Sequence, residues 1–369
     1  MNPSATQSSR AGRLAFLDWL RGLAAVTMLN GHAFHAFTRT DLRNGGPYVL
    51  TQFIGGVPPA VFLFLVGVTL AFLMDSTQRK GLTAWQRVRK AAGRASYLFG
   101  IAFLFRLQLW IFGLPGQPWT DLFRVDVLNC MGFAVLLLSV MAVFSTADRI
   151  RLCAVLGLAI AALSPLVSLA DWSGVPVLAK MYIAPDYQWF GFFPWAAFVA
   201  FGMSVGSILR SVKYEQYEKL AQWAAIAGFG MVIGGNYFAG IPYSIYPQSE
   251  FWLNSPWLVI SKTGVVLLLL SFAFIWTRHN EGRWSWVRQF GMTSLLVYWV
   301  HIELVYGRWF WFWRANLSTT QVVACSAVLI VTMLFFSLAR VQWRNWVRLS
   351  FYLSWYFLHM DRRVPVAAR

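Results

Sequence analysis

Along the chain, apolar residues gather in runs of about 18 to 22 divided by short polar stretches, as a series of helices crossing a bilayer requires. The pattern predicts ten spans, near residues 14–37, 54–74, 95–113, 127–145, 150–170, 189–209, 220–239, 256–277, 289–307 and 320–339. A shorter aromatic segment at 346–360, interrupted by Arg348, reads as a helix lying at the interface, or as an eleventh span if it inserts. The longest gaps are about 20 residues, so no soluble domain fits between spans and any chemistry belongs to the bundle. The expected fold class is all-α: a polytopic transmembrane helical bundle at 14–340. A polar, disordered tail at 1–13 precedes it, and a basic cytoplasmic or interfacial segment at 341–369 follows.

Composition agrees, with 58% of the 369 residues hydrophobic and 12% charged. A net charge of +17 would point to nucleic acid in a soluble chain, but here the charge is divided across the membrane. With the N-terminus inside, inner segments hold 22 of the 31 lysines and arginines and outer loops hold six, while Arg21, Arg106 and Lys262 lie within spans. The excess is a topology signal: it places both termini in the cytoplasm, makes the lipid bilayer the first partner and removes nucleic acid from consideration. The densest inner segment carries Arg79, Lys80, Arg87, Arg89, Lys90 and Arg94 against one acid, Asp75. Positive-inside retention accounts for such a cluster; its second reading is a docking surface for a nucleotide-bearing donor. The run after the tail contains Asp18 and Arg21 and lacks a cleavage site, so no removable signal peptide is expected. Cys130, Cys153 and Cys325 are isolated within spans, indicating neither a disulfide framework nor a metal site.

Ionisable residues inside spans carry the functional signal, since each costs roughly 3 kcal/mol or more at membrane depth. On a helix, Asp18, Arg21, His32 and His35 fall within an arc of about 100°, and Arg21 and His32 stand about 17 Å apart along the axis. Asp18 and Arg21, three apart, are placed to neutralise each other. Asp126, Asn129, Lys262 and His301 come from other spans at a similar outer depth, while Arg106 and Gln108 sit nearer the middle. Glu303, two residues after His301, falls on nearly the opposite face of its helix and need not address the same cavity. In the loop after span nine, Arg308 and Arg314 stand among aromatic residues, a combination suited to sugar faces and to acidic acceptors.

The spacing Arg21-x10-His32 resembles the signature of integral membrane acyltransferases that modify extracytoplasmic glycans. Further stretches resemble the heparan-alpha-glucosaminide N-acetyltransferase catalytic-domain family, bacterial members included. They are Leu17-Asp-Trp-Leu-Arg-Gly22, Pro59-Ala-Val-Phe-Leu-Phe-Leu-Val-Gly67, Val125-Asp-Val-Leu-Asn-Cys-Met-Gly132, Phe193-Pro-Trp-Ala-Ala-Phe-Val-Ala-Phe-Gly202 and Gly291-Met-Thr-Ser-Leu-Leu-Val-Tyr-Trp-Val-His301. The resemblance runs from about residue 14 to 305 and implies a ten- or eleven-helix transmembrane enzyme. Acyl-CoA, with acetyl-CoA expected, would enter from the cytosol, and the acyl group would reach an acceptor in the opposite compartment. By that analogy His32 is catalytic, Arg21 helps form the donor channel, and Asp126, Asn129 and His301 line the centre. One departure is that the lysosomal members carry an asparagine at the position of His32 and their active histidine about eleven residues later, where this chain has Leu42-Arg43-Asn44.

The expected enzyme is thus an acyl-CoA-dependent membrane acyltransferase acting on a sugar or glycan hydroxyl or amine, multi-pass in a bacterial inner membrane. Its expected catalytic residue is His32, either as a base or as a nucleophile forming an acyl-histidine, with Asp126 or Asp18 orienting it. Arg21, Arg87, Arg89, Arg94 and Arg106 are the candidates for the donor. Asp126, Asn129, Lys262, His301 and Arg308 are the candidates for the acceptor, with Asn129 or His301 also placed to contact the oxyanion. No metal is required, and the oligomeric state, monomer or homodimer, stays open. The rival reading is a transporter or flippase for a lipid-linked or small anionic molecule; it would be favoured by inverted repeats or paired broken helices, and no internal repeat is found.

Overall fold

The computed structural model describes residues 14–113 and 116–360, with 344–360 by backbone alone; the tail expected at 1–13 lies outside them, as does 361–369. In chain order the helices are α1 (Ala15–Phe37), α2 (Gly46–Gly55), α3 (Pro58–Arg79), α4 (Ala84–Gly113), α5 (Val127–Leu138) and α6 (Thr146–Leu169). Then come α7 (Val177–Ile183), α8 (Phe192–Ser211), α9 (Tyr217–Ala239), α10 (Pro256–His279), α11 (Trp286–Met292), α12 (Ser294–Tyr306) and α13 (Thr319–Met360). Among the described residues the one β pairing is an isolated bridge between Thr38 and Leu317, which ties the end of α1 to the approach to α13. Several starts are written locally. Ser145 and Ser255 accept from backbone N–H groups of the first turns of α6 and α10, and Pro256 occupies a first-turn position whose N–H has no intrahelical partner.

Among the described residues, six helical segments are long and apolar enough to cross a membrane: Gly46–Arg79, Ala84–Gly113, Thr146–Leu169, Phe192–Ser211, Pro256–His279 and Thr319–Trp343. Helix α1, although 23 residues long, is not among them, because Asp18, Arg21, Asn30 and its two histidines lower its hydropathy. The predicted spans 127–145, 220–239 and 289–307 are likewise not among the six, and the last of these and the C-terminal segment also differ in form from the sequence expectation. The ninth predicted span is two helices, α11 and α12, meeting at Thr293, whose φ of −125° and ψ of 21° are not helical. Segment 346–360, expected to lie apart at the interface, continues α13 without a break.

Helix α1 is central, packing against α2, α3, α10, α11, α12 and α13. Its contact with α11 is backbone to backbone. A Cβ built at Gly22 would run into the Val287 carbonyl, and one at Gly291 into the Asp18 carbonyl, so both glycines are needed for the approach. The break at Thr293 is braced from α13: Gln289 Nε2 donates to the Ser337 carbonyl at 3.0 Å, and the Thr293 and Ser337 hydroxyls are 2.5 Å apart. At the other end of α3, the buried Asp75 carboxylate pairs with Arg79 at 2.9 Å and Arg210 at 2.7 Å, and accepts from Thr146 at 3.1 Å. Arg79 of the basic inner segment thus serves a junction of three helices.

Candidate active site

Helix α1 presents Leu14, Leu17, Asp18, Arg21, Met28, Gly31, His32 and His35 as one stripe, spaced as a 3.6-residue period dictates. That stripe faces a cavity of about 1850 Å³, larger than the roughly 300–1,000 Å³ of a single small-molecule site and roomy enough for two substrates. At one end the walls are the start of α1, Arg94 and Tyr97 of α4, and Arg340 of α13. At the other they are Gln117, Asp121 and Arg124 after α4, and Arg308, Trp311 and Arg314 after α12. Leu14 and His32, both on the wall, lie about 27 Å apart along α1.

His32 is fixed by a residue from another helix. Its Nδ1 lies 2.9 Å from Nε2 of His301, which is completely buried, and Nδ1 of His301 lies 2.8 Å from the Val297 carbonyl oxygen. A carbonyl can only accept, so His301 carries its proton on Nδ1 and offers Nε2 as a lone pair. His32 therefore donates from Nδ1 and keeps Nε2 as the unprotonated nitrogen. Among the described residues this Nε2 has no hydrogen-bond partner. The ring planes are 16° apart with centroids at 5.1 Å, an edge-to-edge arrangement that suits an in-plane hydrogen bond. Tyr306 meets the His32 ring edge-on at 5.5 Å, and its hydroxyl lies 3.0 Å from Nδ1 of His35.

The other expected site residues divide. Arg21 is paired with Asp18 at 3.1 Å, and Arg106 with Asp126 at 3.2 Å; all four line the cavity. Neither acid orients His32, contrary to expectation, because both are engaged by arginines. Asp126 also caps α5, accepting from the backbone of Leu128 and Asn129. Asn129 closes that capping box and donates to the Tyr182 hydroxyl at 3.1 Å, and it is not part of the cavity wall. Of the basic segment, Arg94 reaches the cavity, with its guanidinium 5.2 Å from the Tyr97 ring centre, whereas Arg87 donates to the Val143 carbonyl and neither it nor Arg89 lines the wall. Lys262 and Arg308 line it; Arg308 donates to the Gly113 carbonyl at 3.2 Å.

Helix α12 reverses an expectation. Its cavity-facing stripe is Leu295, Tyr298, Trp299, Ile302, Glu303 and Tyr306, so Glu303 faces the cavity and His301 lies behind the wall. Glu303 accepts from Gln108 at 3.4 Å, and Gln108 in turn accepts from the Trp299 indole. Reading the α12 stripe from its aromatics would have found Glu303. Arg340, Trp195 and Tyr187 on the wall were also missed. At Tyr187, burial and a hydrogen bond to Glu250 raise the phenol above its usual range, so it stays neutral.

An all-helical bundle with membrane-length apolar helices and a charged cavity between them is that of an integral membrane protein. Residues 13–236 match the family described as heparan-alpha-glucosaminide N-acetyltransferase, catalytic, and the chain belongs to that family, which is of membrane acetyltransferase type. The match is shorter than the resemblance at 14–305: it covers His32 but ends before Lys262, His301 and Glu303. A comparison with curated proteins found no match.

Proposed function

We propose that this protein moves an acyl group, with acetyl as the expected one, from acyl-CoA to a hydroxyl or amine of a sugar or glycan on the opposite side of a bacterial inner membrane. The observation that carries this reading is the His32–His301 pair, with His32 on the wall of a cavity lined from the start of α1 to the residues that follow α12. His32 Nε2 takes the proton from the acceptor, whose oxygen or nitrogen then bonds to the thioester carbonyl carbon. Collapse of the tetrahedral adduct breaks the carbon–sulfur bond, and the proton held by His32 passes to the departing sulfur. While His32 carries that proton, His301 Nε2 accepts from its Nδ1–H and holds the imidazolium in place. The thioester is already activated, so orientation and one base suffice.

The donor enters at the end bearing Arg94 and Arg340, which we take as the cytosolic face with both termini inside. Guanidinium groups suit its phosphates, and the pantetheine arm follows the α1 stripe past Arg21 toward His32. Incubating the purified protein with radiolabelled acetyl-CoA and a panel of glycan acceptors tests the reaction. Label is expected on an acceptor; acetyl-CoA left intact with every acceptor would reject it. Neutralising Arg94 and Arg340 together is expected to weaken CoA binding about tenfold or more, in a salt-sensitive manner, while neutralising Arg87 and Arg89 changes it little. Calorimetry on solubilised protein measures both, and the reverse ranking would move the donor site.

A further inference from the structure

Lys262 sits on α10 with its ammonium 5.2 Å from the centre of the Trp195 ring of α8, a cation–π contact that fixes its place on the cavity wall. Among the described residues it makes no ion pair and no hydrogen bond. Of the acids on the cavity wall, Asp126 is paired with Arg106, Asp18 with Arg21 and Glu303 bonds the Gln108 amide, and none is paired with Lys262. An ammonium inside a membrane bundle without a counter-charge is costly, and a ring face offsets only part of that cost. The wall at this point holds an amino group whose ammonium form an anion would complete.

The depth of Lys262 says which substrate brings the anion. A Cβ at Gly31, the neighbour of His32, would lie 3.2 Å from Cα of Gly55, and one at Gly56 would lie 3.7 Å from Lys262 Nζ. The glycine corner between α2 and α3 thus links the level of His32 to that of Lys262, with Gln52 donating to the Gly31 carbonyl at 3.3 Å beside it. At this level the donor presents its uncharged thioester, because its phosphates stay toward the Arg94 and Arg340 end, with the length of the pantetheine arm between them and His32. The anion therefore belongs to the acceptor. Arg124 and Arg314 at the adjoining end spend their hydrogen bonds on backbone carbonyls, which leaves their charge unneutralised and adds to the same field.

Resting on the acyl-transfer reading for the word acceptor, we infer that Lys262 and Trp195 form a subsite for an acidic sugar, one carrying a carboxylate or phosphate beside the group that is acylated. Trp195 offers the sugar an apolar face while Lys262 binds the anionic oxygens.

Binding of glucuronate, glucose 6-phosphate and glucose to the solubilised full-length protein, measured by calorimetry for the native chain, Lys262→Gln and Lys262→Arg, tests this without needing turnover. At least one of the two acids is expected to bind roughly tenfold or more tightly than glucose. Lys262→Gln should erase that preference while Lys262→Arg keeps most of it, with thermal melting confirming that both variants fold. The two acids separate a carboxylate subsite from a phosphate one. No preference for either acid over glucose in the native protein overturns the inference, as does a preference that survives in Lys262→Gln. If the preference is found and lost as expected but acetyl-CoA is never consumed, the acidic-sugar site stands and the acyl-transfer reading falls.

Discussion

His32→Ala is expected to reduce acyl transfer about a hundredfold to ten-thousandfold, the range lost with a general base, while folding and CoA binding stay near normal. The expectation rests on His32 being held as a tautomer with Nε2 unprotonated and facing the cavity. His301→Ala removes the acceptor that fixes this tautomer without touching substrate, so it should lower kcat about tenfold to hundredfold with KM little changed. His35→Ala should be milder still, because His35 contacts Tyr306 and not His301. Steady-state kinetics with a responsive acceptor, together with thermal melting of each variant, measures the set. A folded His32→Ala protein transferring at nearly the native rate would sink the mechanism and return the charged cavity to the transporter reading.

Gly291→Val is expected to be the most damaging single change to the bundle, costing about 3 kcal/mol or more and leaving little folded protein after extraction. The reason is geometric. A Cβ at Gly291 meets the Asp18 carbonyl, and one at Gly22 meets the Val287 carbonyl, so no flexible side chain can yield and α11 must leave α1. That separation would also displace Arg21 and the break at Thr293. Gly93→Ala and Gly230→Ala make the comparison, since nothing lies within 4 Å of the added carbon at either position. They should change stability by less than about 1 kcal/mol, in the stabilising direction that alanine has over glycine in a helix. Thermal melts of the three variants and the native protein in one detergent decide it, and a Gly291→Val protein melting with the native one would refute the close-contact account.

The sequence by itself determined what depends on local periodicity. Apolar runs located the long helices, because a segment leaving water must satisfy its backbone within itself and so becomes a helix wherever the run is long enough. The 3.6-residue period put Asp18, Arg21, His32 and His35 on one face of α1, where the cavity lies. The capping pattern at Asp126 and Asn129 is likewise local, three residues apart, although the sequence alone read both as substrate contacts. Tertiary structure decided whatever joins distant segments. His32 and His301 are 269 positions apart, and only the packing of α12 on α1 makes them a pair. Periodicity could say that His301 and Glu303 point differently, but not which of them meets the cavity, because that depends on the helix packed behind. The break at Thr293 was hidden in a continuous apolar run, since the polar groups bracing it come from Ser337 on α13. Likewise Arg94 was separated from Arg87, seven residues away on nearly the same face of α4, by depth along the helix, and Lys262 was set against Trp195 by the packing of α10 and α8. Helix packing of this kind follows from close contacts such as Gly22 on Gly291, which no single segment encodes alone.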